Sequence, residues 1–524
     1  MSYNLLDERW IPVLRLDGKA SHVGIRTALR ESGGIRQVAA SNPLDNVALL
    51  RFLLAVAVWC RPQLSDRDRS LLNGVGGIPE NWLTNRLGSV GRESEAFVLL
   101  GEHGGFYQDP TVEGRAVAAT NLVHELPSAS NVAHFRHARD GRDGLCPGCC
   151  ALALLRWSAV ASAGTAGAGQ SMTASVNGNT PTYAIPTGKT LLQTLLRSWP
   201  TGPSVPGDAP VWAGATEDSP LGFLKGLTWR SRRVLLAPPN EAGGRLFSGH
   251  CCLCGTHTEA LVRWIRFRPG WRRASAAPWD GDPHLLLVAR GRRGESEQRG
   301  VVPSWPGPNA ALEDHACVWR SVLEGLLQRC LASPTPGGSV ETMLLASSQQ
   351  LYKHIATHRV TLPPLRPEQA ECLLTELAWL RQTTWATTSA RSRNWSDPPR
   401  GQRVVGALCR EGAKGHGLRS ALCSASPLAE SEMEQDFLQL MWGLSAAAGD
   451  RDAILGSWRS RAQAILRDQV DGAVALGTAG SVLRRKAAVR KVERLLQPAT
   501  ASGALASGGQ GDTGAAGASE TNHD

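Results

Sequence analysis

Two Cys-x-x-Cys pairs separated by about a hundred residues constrain this 524-residue chain more than any other feature of its sequence. Cys146 and Cys149 form the first pair, in "LCPGCC", and Cys251 and Cys254 form the second, in "CCLCG". A two-residue spacer lets both sulfurs of a pair turn toward one ion, and two pairs supply the four thiolates of a tetrahedral Zn²⁺ site. The spacing therefore predicts one structural zinc ion that brings two distant loops together.

The other cysteines indicate the redox environment. The chain holds twelve cysteines, and most lie singly in apolar contexts such as "ALCRE" and "ECLL". Disulfide frameworks are dense and belong to small secreted chains, so we expect a reducing, cytoplasmic compartment, in which paired cysteines favour metal over a disulfide. Cys150 and Cys252 are expected to be bystanders. Two loops of unliganded cysteines are the alternative.

Enzymatic uses of the cysteine pairs have less support in the sequence. A zinc deaminase carries His-x-Glu before Pro-Cys-x-x-Cys, whereas here "HTE" (257–259) follows the second pair and Pro147 lies inside the first. A thioredoxin-like pair opens a helix after a strand; the helical stretch "CALALLRWSAV" does follow Cys149, so a thiol enzyme stays open as an alternative. The chain contains no Walker A loop, no His-Glu-x-x-His and no Gly-x-Ser-x-Gly. These absences, and the lack of a proton-transfer group near either cysteine pair, argue against a zinc or thiol enzyme with a basic substrate cleft.

Positive charge is concentrated in one part of the chain. The formal net charge is +10, and residues 228–300 hold thirteen Arg and six Asp or Glu, a difference of 13 − 6 = +7. Such a patch is compatible with a polyanionic partner such as nucleic acid. A solvated arginine surface with no partner is the alternative.

One apolar stretch, "NVALLRFLLAVAVWC" (46–60), is the nearest approach to a membrane span. Arg51 interrupts it, and no run of eighteen apolar residues occurs, so we expect a buried core helix and no membrane partner. The opening "MSYNLLDERW" is charged at once, so no secretory signal is expected.

Periodicity predicts an α+β chain. Residues 4–13 are expected to form a short strand entering a turn, residues 43–60 and 190–200 helices, and residues 222–238 a helix followed by a strand. Residues 251–300 are expected to form small strands and loops. The expected organisation is a large mixed α/β domain at 1–365, a bundle at 366–497 and a disordered tail at 498–524.

The bundle is predicted from four apolar stretches with three- and four-residue spacing, joined by breaks rich in Gly, Pro and Ser. They are "PEQAECLLTELAWLRQTTWATTSA", "LAESEMEQDFLQLMWGLSAAAG", "DAILGSWRSRAQAILRDQVDG" and "TAGSVLRRKAAVRKVERLLQ".

Taken in order, several segments resemble the CasA family, the large subunit of the type I-E CRISPR Cascade complex. They are "YNLLDERWIPV", "GGFYQDP", the first cysteine pair, the small-residue loop ending "GNTP", "SPLGFLKGLTWRSRRVLL", "CCLCG", "SSQQ" and the C-terminal helical stretches. The resemblance implies a subunit that sits beside guide RNA, reads a protospacer-adjacent motif in double-stranded DNA, promotes duplex opening and R-loop formation, and recruits a helicase–nuclease. A generic RNA-binding scaffold is the remaining alternative.

The resemblance also implies site residues. Gly164, Gly167 and Gly169, with Gln170, supply a loop able to approach a DNA groove closely. Gln349 or Gln350 matches the family's glutamine wedge. Arginine replaces the family's lysine finger in "RWIRFRPGWRR", so Arg268 or Arg266 is the candidate. The loop implied to touch guide and motif contains Asn131, His134, Phe135 and Arg136.

Overall fold

The structure is a computed structural model of the whole chain. It describes residues 2–88, 95–100, 105–123, 144–161, 164–165, 171–178, 181–200, 204–237, 246–273, 279, 281–293, 296–301, 318–332, 338–347, 353–383, 432–446 and 450–477.

Eleven helices are found within the described ranges. In chain order, α1 to α11 are Ile25–Arg30, Pro43–Cys60, Asp66–Gly74, Glu80–Leu87, Pro147–Ala159, Leu191–Arg197, Phe223–Leu227, Val318–Ala332, Pro367–Thr383, 432–446 and Arg451–Gly477. Two short 3₁₀ helices are Ala119–Leu122 and Val211–Ala213.

The described ranges hold seventeen strands. In chain order, β1 to β17 are Tyr3–Asn4, Ile11–Arg15, Ala20–Val23, Ile35–Val38, Val98–Leu100, Val117–Ala118, Gly164–Thr165, Ser171–Met172, Thr182–Thr187, Arg232–Leu236, Phe247–His250, His257–Leu261, Trp264–Pro269, Leu287–Arg293, Ser296–Val301, Gly338–Ser347 and Lys353–Leu362.

The strands form small antiparallel sheets. The three-stranded sheets have the orders β3-β2-β4, β10-β13-β6 and β17-β16-β9, and the remaining strands pair in twos. Every strand pairing in the described part of the chain is antiparallel. Helices accompany these sheets rather than alternating with parallel strands, so the mixed α/β character expected from the sequence is confirmed.

Two compact units divide the chain. The first comprises Met1–Ala378 and Glu434–Gly456, and the second comprises Trp379–Met433 and Ser457–Asp524. The described part of the second unit lies almost entirely on helices: the ends of α9 and α11 and the start of α10. The sheets, both cysteine pairs and the arginine-rich strands all belong to the first unit.

Helix α2 forms the centre of the first unit's core. Asn42 caps its N-terminus, its side chain accepting a hydrogen bond from the backbone N–H of Leu44 at 2.9 Å, and Pro43 follows at the first helical position. That arrangement is favourable for a helix start. Nearly every α2 side chain is buried, and the helix packs against α5. A helix that is apolar all round belongs inside a protein, as the sequence predicted.

Two buried ion pairs tie α2 to distant segments. Arg51 contacts Asp282 at 2.7 Å, and Asp45 accepts two bonds of 2.8 Å from Arg156 of α5. By length and composition α2 could cross a membrane, with mean hydropathy 1.6, but 83% of that stretch is buried within the protein. A buried arginine and aspartate on the same helix are explained by their protein partners, which agrees with a core helix.

The N-terminal segment contains the expected short strand entering a turn, but the strand ends earlier than expected and a second strand follows. β1 ends at Asn4, the turn occupies residues 5–9, and β2 begins at Ile11. Leu5 and Leu6 are fully buried in that turn, and the Trp10 indole N–H donates to the carbonyl of Leu5 at 2.9 Å. The turn lets these adjacent leucines be buried together, whereas neighbouring residues of a strand point to opposite faces.

The other element predictions largely agree with the structure. Helix α2 is confirmed, α6 lies within 190–200, and α7 followed by β10 lies within the predicted helix and strand. Three of the four C-terminal stretches contain helices, α9 to α11. The fourth stretch and the tail predicted at 498–524 lie outside the described residues, so the four-helix bundle stays a prediction.

Candidate metal centre and arginine face

The first cysteine pair is positioned by the start of α5. Cys146 is the residue before the helix, with φ −70° and ψ 161°, Pro147 is its first residue, and Cys149 lies within the first turn. Both sulfurs are therefore close to the helix N-terminus, where free backbone N–H groups and the helix dipole favour negative charge. The sequence favours this start because proline is well accommodated at the first helical position.

The second pair lies in the turn of the β11–β12 hairpin. Cys251 accepts a backbone hydrogen bond from Gly255 at 2.9 Å and donates one to Thr256 at 2.9 Å. Gly255 has φ +75°, in the left-handed region that glycine adopts without strain. The turn curls the chain so that Cys251 and Cys254 face the same point.

Backbone bonds connect the two pairs across the intervening chain. Leu145 and Val262 exchange hydrogen bonds of 3.0 and 2.9 Å, and Cys252 donates to the carbonyl of Gly144 at 3.1 Å. Gly144 has φ +101°, and a Cβ there would lie 2.6 Å from the carbonyl oxygen of Val262. A residue without a side chain is thus required where the two segments meet.

The four sulfurs form a compact cluster. The Sγ atoms of Cys146, Cys149, Cys251 and Cys254 all lie within 4.8 Å of one another, and those of Cys146 and Cys254 are 3.6 Å apart. Zn–S bonds of about 2.3 Å in a tetrahedron place sulfurs about 3.8 Å apart. Disulfide bonding requires about 2.05 Å, and all four are free thiols here. The spacing suits a tetrathiolate metal site.

Electrostatics also favours a cation at this cluster. A hydrogen bond from Cys149 lowers the pKa of the Cys254 thiol to about 6, and bonds from Cys146 and Cys149 lower the pKa of Cys251. The pKa of Cys149 is raised because hydrogen bonding with the neighbouring sulfurs, together with burial, favours its protonated form. Four sulfurs this close cannot all ionise alone, because like charges repel. A divalent cation removes that repulsion and deprotonates its thiol ligands.

The set of ligand atoms in the cluster distinguishes a structural metal site from a catalytic one. Its four ligand atoms are all sulfur, and within the described ranges no histidine or carboxylate joins them. Structural zinc sites are closed in this way, whereas catalytic sites keep one position for water or substrate. Three of the four cysteines are buried and Cys254 is exposed. The site is therefore suited to holding two loops together.

The arginines expected to bind DNA lie on strand β13. Arg266 and Arg268 are both half-buried and share one face of the strand. Arg266 donates to the carbonyl of Val112 at 3.4 Å, and Arg268 donates to the carbonyl of Phe267 at 3.0 Å. Both arginines are thus held on a sheet rather than at the tip of a loop.

Segment 109–114 orders these arginines, which sequence reasoning did not anticipate. Gly114 has φ +104°, and a Cβ there would lie 1.7 Å from the guanidinium of Arg268. Asp109 accepts a bond of 2.7 Å from Arg233, which pairs with Arg268 across β10 and β13. The turn-rich composition of "QDPTVEG" indicated a loop but not what the loop covers.

Of the remaining sequence-predicted site residues, all but Gly164 lie outside the described residues. Gly164 starts β7, which pairs with β8, but Gly167, Gly169 and Gln170 fall between these strands. Gln349 and Gln350 fall between β16 and β17, which pair up to Ser347 and Lys353. The predicted guide loop with Asn131, His134, Phe135 and Arg136 falls between Val123 and Gly144.

Solved structures with the same fold define a class of protein. Cse1 from Acidimicrobium ferrooxidans aligns with TM-score 0.61 and 19% identity, covering 95% of this chain and 98% of that one. A CRISPR-associated protein from Thermus thermophilus aligns with TM-score 0.62 and 20% identity over 95% and 98%. A chain described as a CRISPR RNA-guided surveillance complex aligns with TM-score 0.59 and 16% identity over 94% and 99%. The fold is that of CRISPR-associated proteins.

Sequence comparison gives the family. A family model described as CRISPR-associated protein Cse1 matches residues 4–336, more than half of the chain. CasA/Cse1 of Thermus thermophilus is 31% identical over 337 residues, which is 60% of this chain and 63% of that relative. The match thus spans less than two thirds of the relative. The chain belongs to the CasA/Cse1 family, as its sequence motifs suggested.

Proposed function

We propose that this protein is the large subunit of a type I-E CRISPR Cascade complex, acting in the cytoplasm with a guide RNA and the other Cascade subunits. In this role it recognises a protospacer-adjacent motif in double-stranded DNA, promotes duplex opening and R-loop formation, and helps to recruit the helicase–nuclease. The observation that carries the proposal is the family match over residues 4–336, which includes both cysteine pairs and the arginine-bearing strand β13.

Under this proposal, different groups of residues have different roles. Arg266 and Arg268 hold phosphates, giving affinity without sequence choice. The small-residue loop with Gly167, Gly169 and Gln170 approaches the groove, and Gln349 or Gln350 wedges into the duplex. The loop with Asn131, His134, Phe135 and Arg136 contacts the guide and motif region. The helical stretches after residue 366 form a four-helix bundle that faces the small subunits and the DNA.

We further propose that Cys146, Cys149, Cys251 and Cys254 bind one structural Zn²⁺. Its support is the sulfur spacing and the closed all-sulfur ligand set described above. The ion would fix the start of α5 to the β11–β12 turn, close to the beginning of β13. The same closed set argues against a zinc hydrolase or deaminase, which needs an open position, so the protein is proposed to be non-catalytic.

Motif-dependent strand opening tests the proposed function. The complex assembled with guide RNA would be given targets with and without the motif, carrying a fluorescent base or probed with permanganate. Changing Gln349 and Gln350 together to Ala is expected to abolish opening while sparing weak duplex binding. Opening a duplex costs a few kcal/mol per unstacked step, which the wedge must offset.

Three different outcomes would each contradict a different part of the proposal. Equal opening by the wild type and the double variant would show that the glutamines are a solvated turn. A wild-type protein that neither assembles with guide RNA nor distinguishes the motif would remove the proposed function itself. Hydrolytic or redox turnover at enzyme-like rates would favour the enzyme alternative.

A further inference from the structure

Strand β13 carries an exposed tryptophan in line with the two arginines. Trp264, Arg266 and Arg268 alternate with buried residues, so their side chains emerge on one face at two-residue steps of about 6.8 Å. Trp264 is 40% exposed, although tryptophan is usually well covered in folded proteins. The face thus presents an aromatic ring followed by two cations.

The register of the sheet leaves this indole uncovered. On one side Trp264 is opposite Ala118 of β6. On the other side its carbonyl accepts a hydrogen bond of 3.0 Å from Ala237, the residue after β10. Both cross-strand neighbours are therefore alanines, whose side chains are too short to cover an indole ring. Trp264 therefore keeps a large exposed surface on this sheet.

The positive charge on this face indicates which kind of planar group would stack on the Trp264 ring. The Arg266 guanidinium is oriented by the carbonyl of Val112 and that of Arg268 by the carbonyl of Phe267, and a carbonyl acceptor leaves the positive charge of Arg268 in place. A guanidinium has five N–H donors, so Arg268 retains donors for a phosphate. Stacking aromatics beside cations that follow a backbone are the features of single-strand nucleic acid sites.

We propose that Trp264 is a stacking platform for an unpaired base of DNA, with Arg266 and Arg268 holding the neighbouring phosphates. The inference rests on the proposed function, which places these arginines on target DNA, and it adds a site for the strand released on opening. A base inside a duplex does not expose its face, so the platform is engaged only after opening. The proposed occupant is single-stranded DNA, because the proposed function places Arg266 and Arg268 on target DNA; stacking on unpaired guide RNA is the contrary outcome of the test.

Photo-crosslinking tests the contact at residue level. The complex assembled on motif-bearing target would contain 5-iododeoxyuridine near the motif in either DNA strand, or 5-iodouridine in the guide. After irradiation, mass spectrometry would locate the crosslinked residue. We expect a crosslink from opened DNA to Trp264, none from a target without the motif, and none from the guide. A crosslink from the guide to Trp264, or no crosslink in a complex that opens DNA, would overturn the inference.

Binding of the isolated full-length chain to a single-stranded oligodeoxynucleotide gives a second, independent readout. Trp264→Ala should weaken binding about tenfold, and Trp264→Phe should restore most of it, because stacking needs only an aromatic face. Trp442→Ala is the matched control, since Trp442 is 47% exposed and lies on α10. Melting curves would show that each variant is folded. Equal loss in both alanine variants, or no loss in Trp264→Ala, would contradict the stacking site.

These readouts separate the two proposals. Absence of motif-dependent opening in the wild type removes the proposed function, while the oligonucleotide measurement still decides whether Trp264 stacks on bases. Opening that proceeds without any crosslink to Trp264 leaves the proposed function in place and removes the stacking site.

Discussion

Arg51 and Asp282 illustrate how a buried charge is compensated in the core. Arg51 and Asp282 are 231 positions apart in the chain, and their side chains are 1% and 0% exposed. Asn177 donates to the second Asp282 oxygen at 2.6 Å, and the Arg51 guanidinium lies 4.7 Å from the centre of the Tyr183 ring. The sequence pattern predicted that Arg51 is buried but could not identify its partner, because pairing depends on the tertiary fold.

Removing the charge of Asp282 should strongly destabilise the protein. Asp282→Asn leaves Arg51 buried without its counter-charge, and breaking a buried pair in this way costs about 3–5 kcal/mol. The control is Glu31→Gln, which breaks the half-exposed Arg15–Glu31 pair at 3.1 Å and should cost about 1 kcal/mol or less. Denaturant unfolding measures both. Equal effects would show that the Arg51–Asp282 pair contributes no more than a surface pair.

The same pair predicts a dependence of stability on pH. Burial alone would raise the pKa of Asp282, but Arg51 outweighs it and the pKa lies below its usual value. A carboxyl with a depressed pKa in the folded state stabilises the fold above its unfolded pKa of about 3.9, and this stability is lost as pH falls through the folded pKa. Wild-type unfolding free energy should therefore decline in acid more steeply than that of Asp282→Asn. Parallel profiles would contradict this.

Elements differ in how far the sequence determines them. Helix α2 was predictable because its cap, its proline and its continuous apolar composition all indicate a buried helix. The exact position of the β1–β2 turn was less predictable, because the local sequence does not show that Leu5 and Leu6 are both fully buried. The cysteine cluster was predicted from spacing alone, because chelation imposes a specific local pattern. The arginine face was only partly predicted, because segment 109–114 reaches β13 through the tertiary fold.

Loss of one ligand should prevent the proposed zinc ion from binding to the cysteine cluster. Cys251→Ser is expected to lower zinc from one ion per chain to near zero and to lower the melting temperature, because metal binding free energy contributes to folding. Cys252→Ala is the matched control, since Cys252 lies in the same turn but outside the cluster. Elemental analysis of protein purified without chelator makes the measurement. Absence of zinc from the wild type would leave the four cysteines as unliganded thiols.

The end of β13 should not tolerate a side chain at Gly270. A Cβ there would lie 2.1 Å from the carbonyl oxygen of Arg230, while Gly270 donates to Ser231 at 3.1 Å. Gly270→Ala should therefore destabilise the protein by roughly 1–3 kcal/mol, since the backbones must separate. Gly456→Ala on α11 is the control, because nothing lies within 4 Å of its Cβ and alanine favours helix. Thermal unfolding compares them, and equal melting temperatures would contradict the clash.

At the scale of the whole molecule, charge distribution and fold point to the same surface. The chain carries a net charge of +10, and its excess of arginine is concentrated in 228–300, which includes β10 and β13. Composition could predict a polyanionic partner, but not which arginines face it. Arg232 is 4% exposed and lies 4.5 Å from the Trp157 ring centre, whereas Arg266 and Arg268 are half-buried on the opposite face of the sheet. Because side chains alternate along a strand, Arg232 packs inside the protein, whereas Arg266 and Arg268 lie on the partly exposed face proposed to hold phosphates.

This separation predicts how DNA affinity should respond to salt. Each bound phosphate releases counterions, so the slope of log affinity against log salt changes by about 0.9 for each phosphate that the protein no longer holds. Arg268→Ala should weaken binding to DNA of every sequence to the same degree and flatten that slope by about one, leaving the preference for motif over non-motif DNA unchanged. Arg36→Ala, at an exposed position on β4, is the control and should leave both affinity and slope unaltered. Fluorescence anisotropy across a salt series makes the measurement. If Arg268→Ala abolished the motif preference while keeping the slope, Arg268 would read bases rather than hold phosphates, and the division of roles proposed for β13 would be wrong.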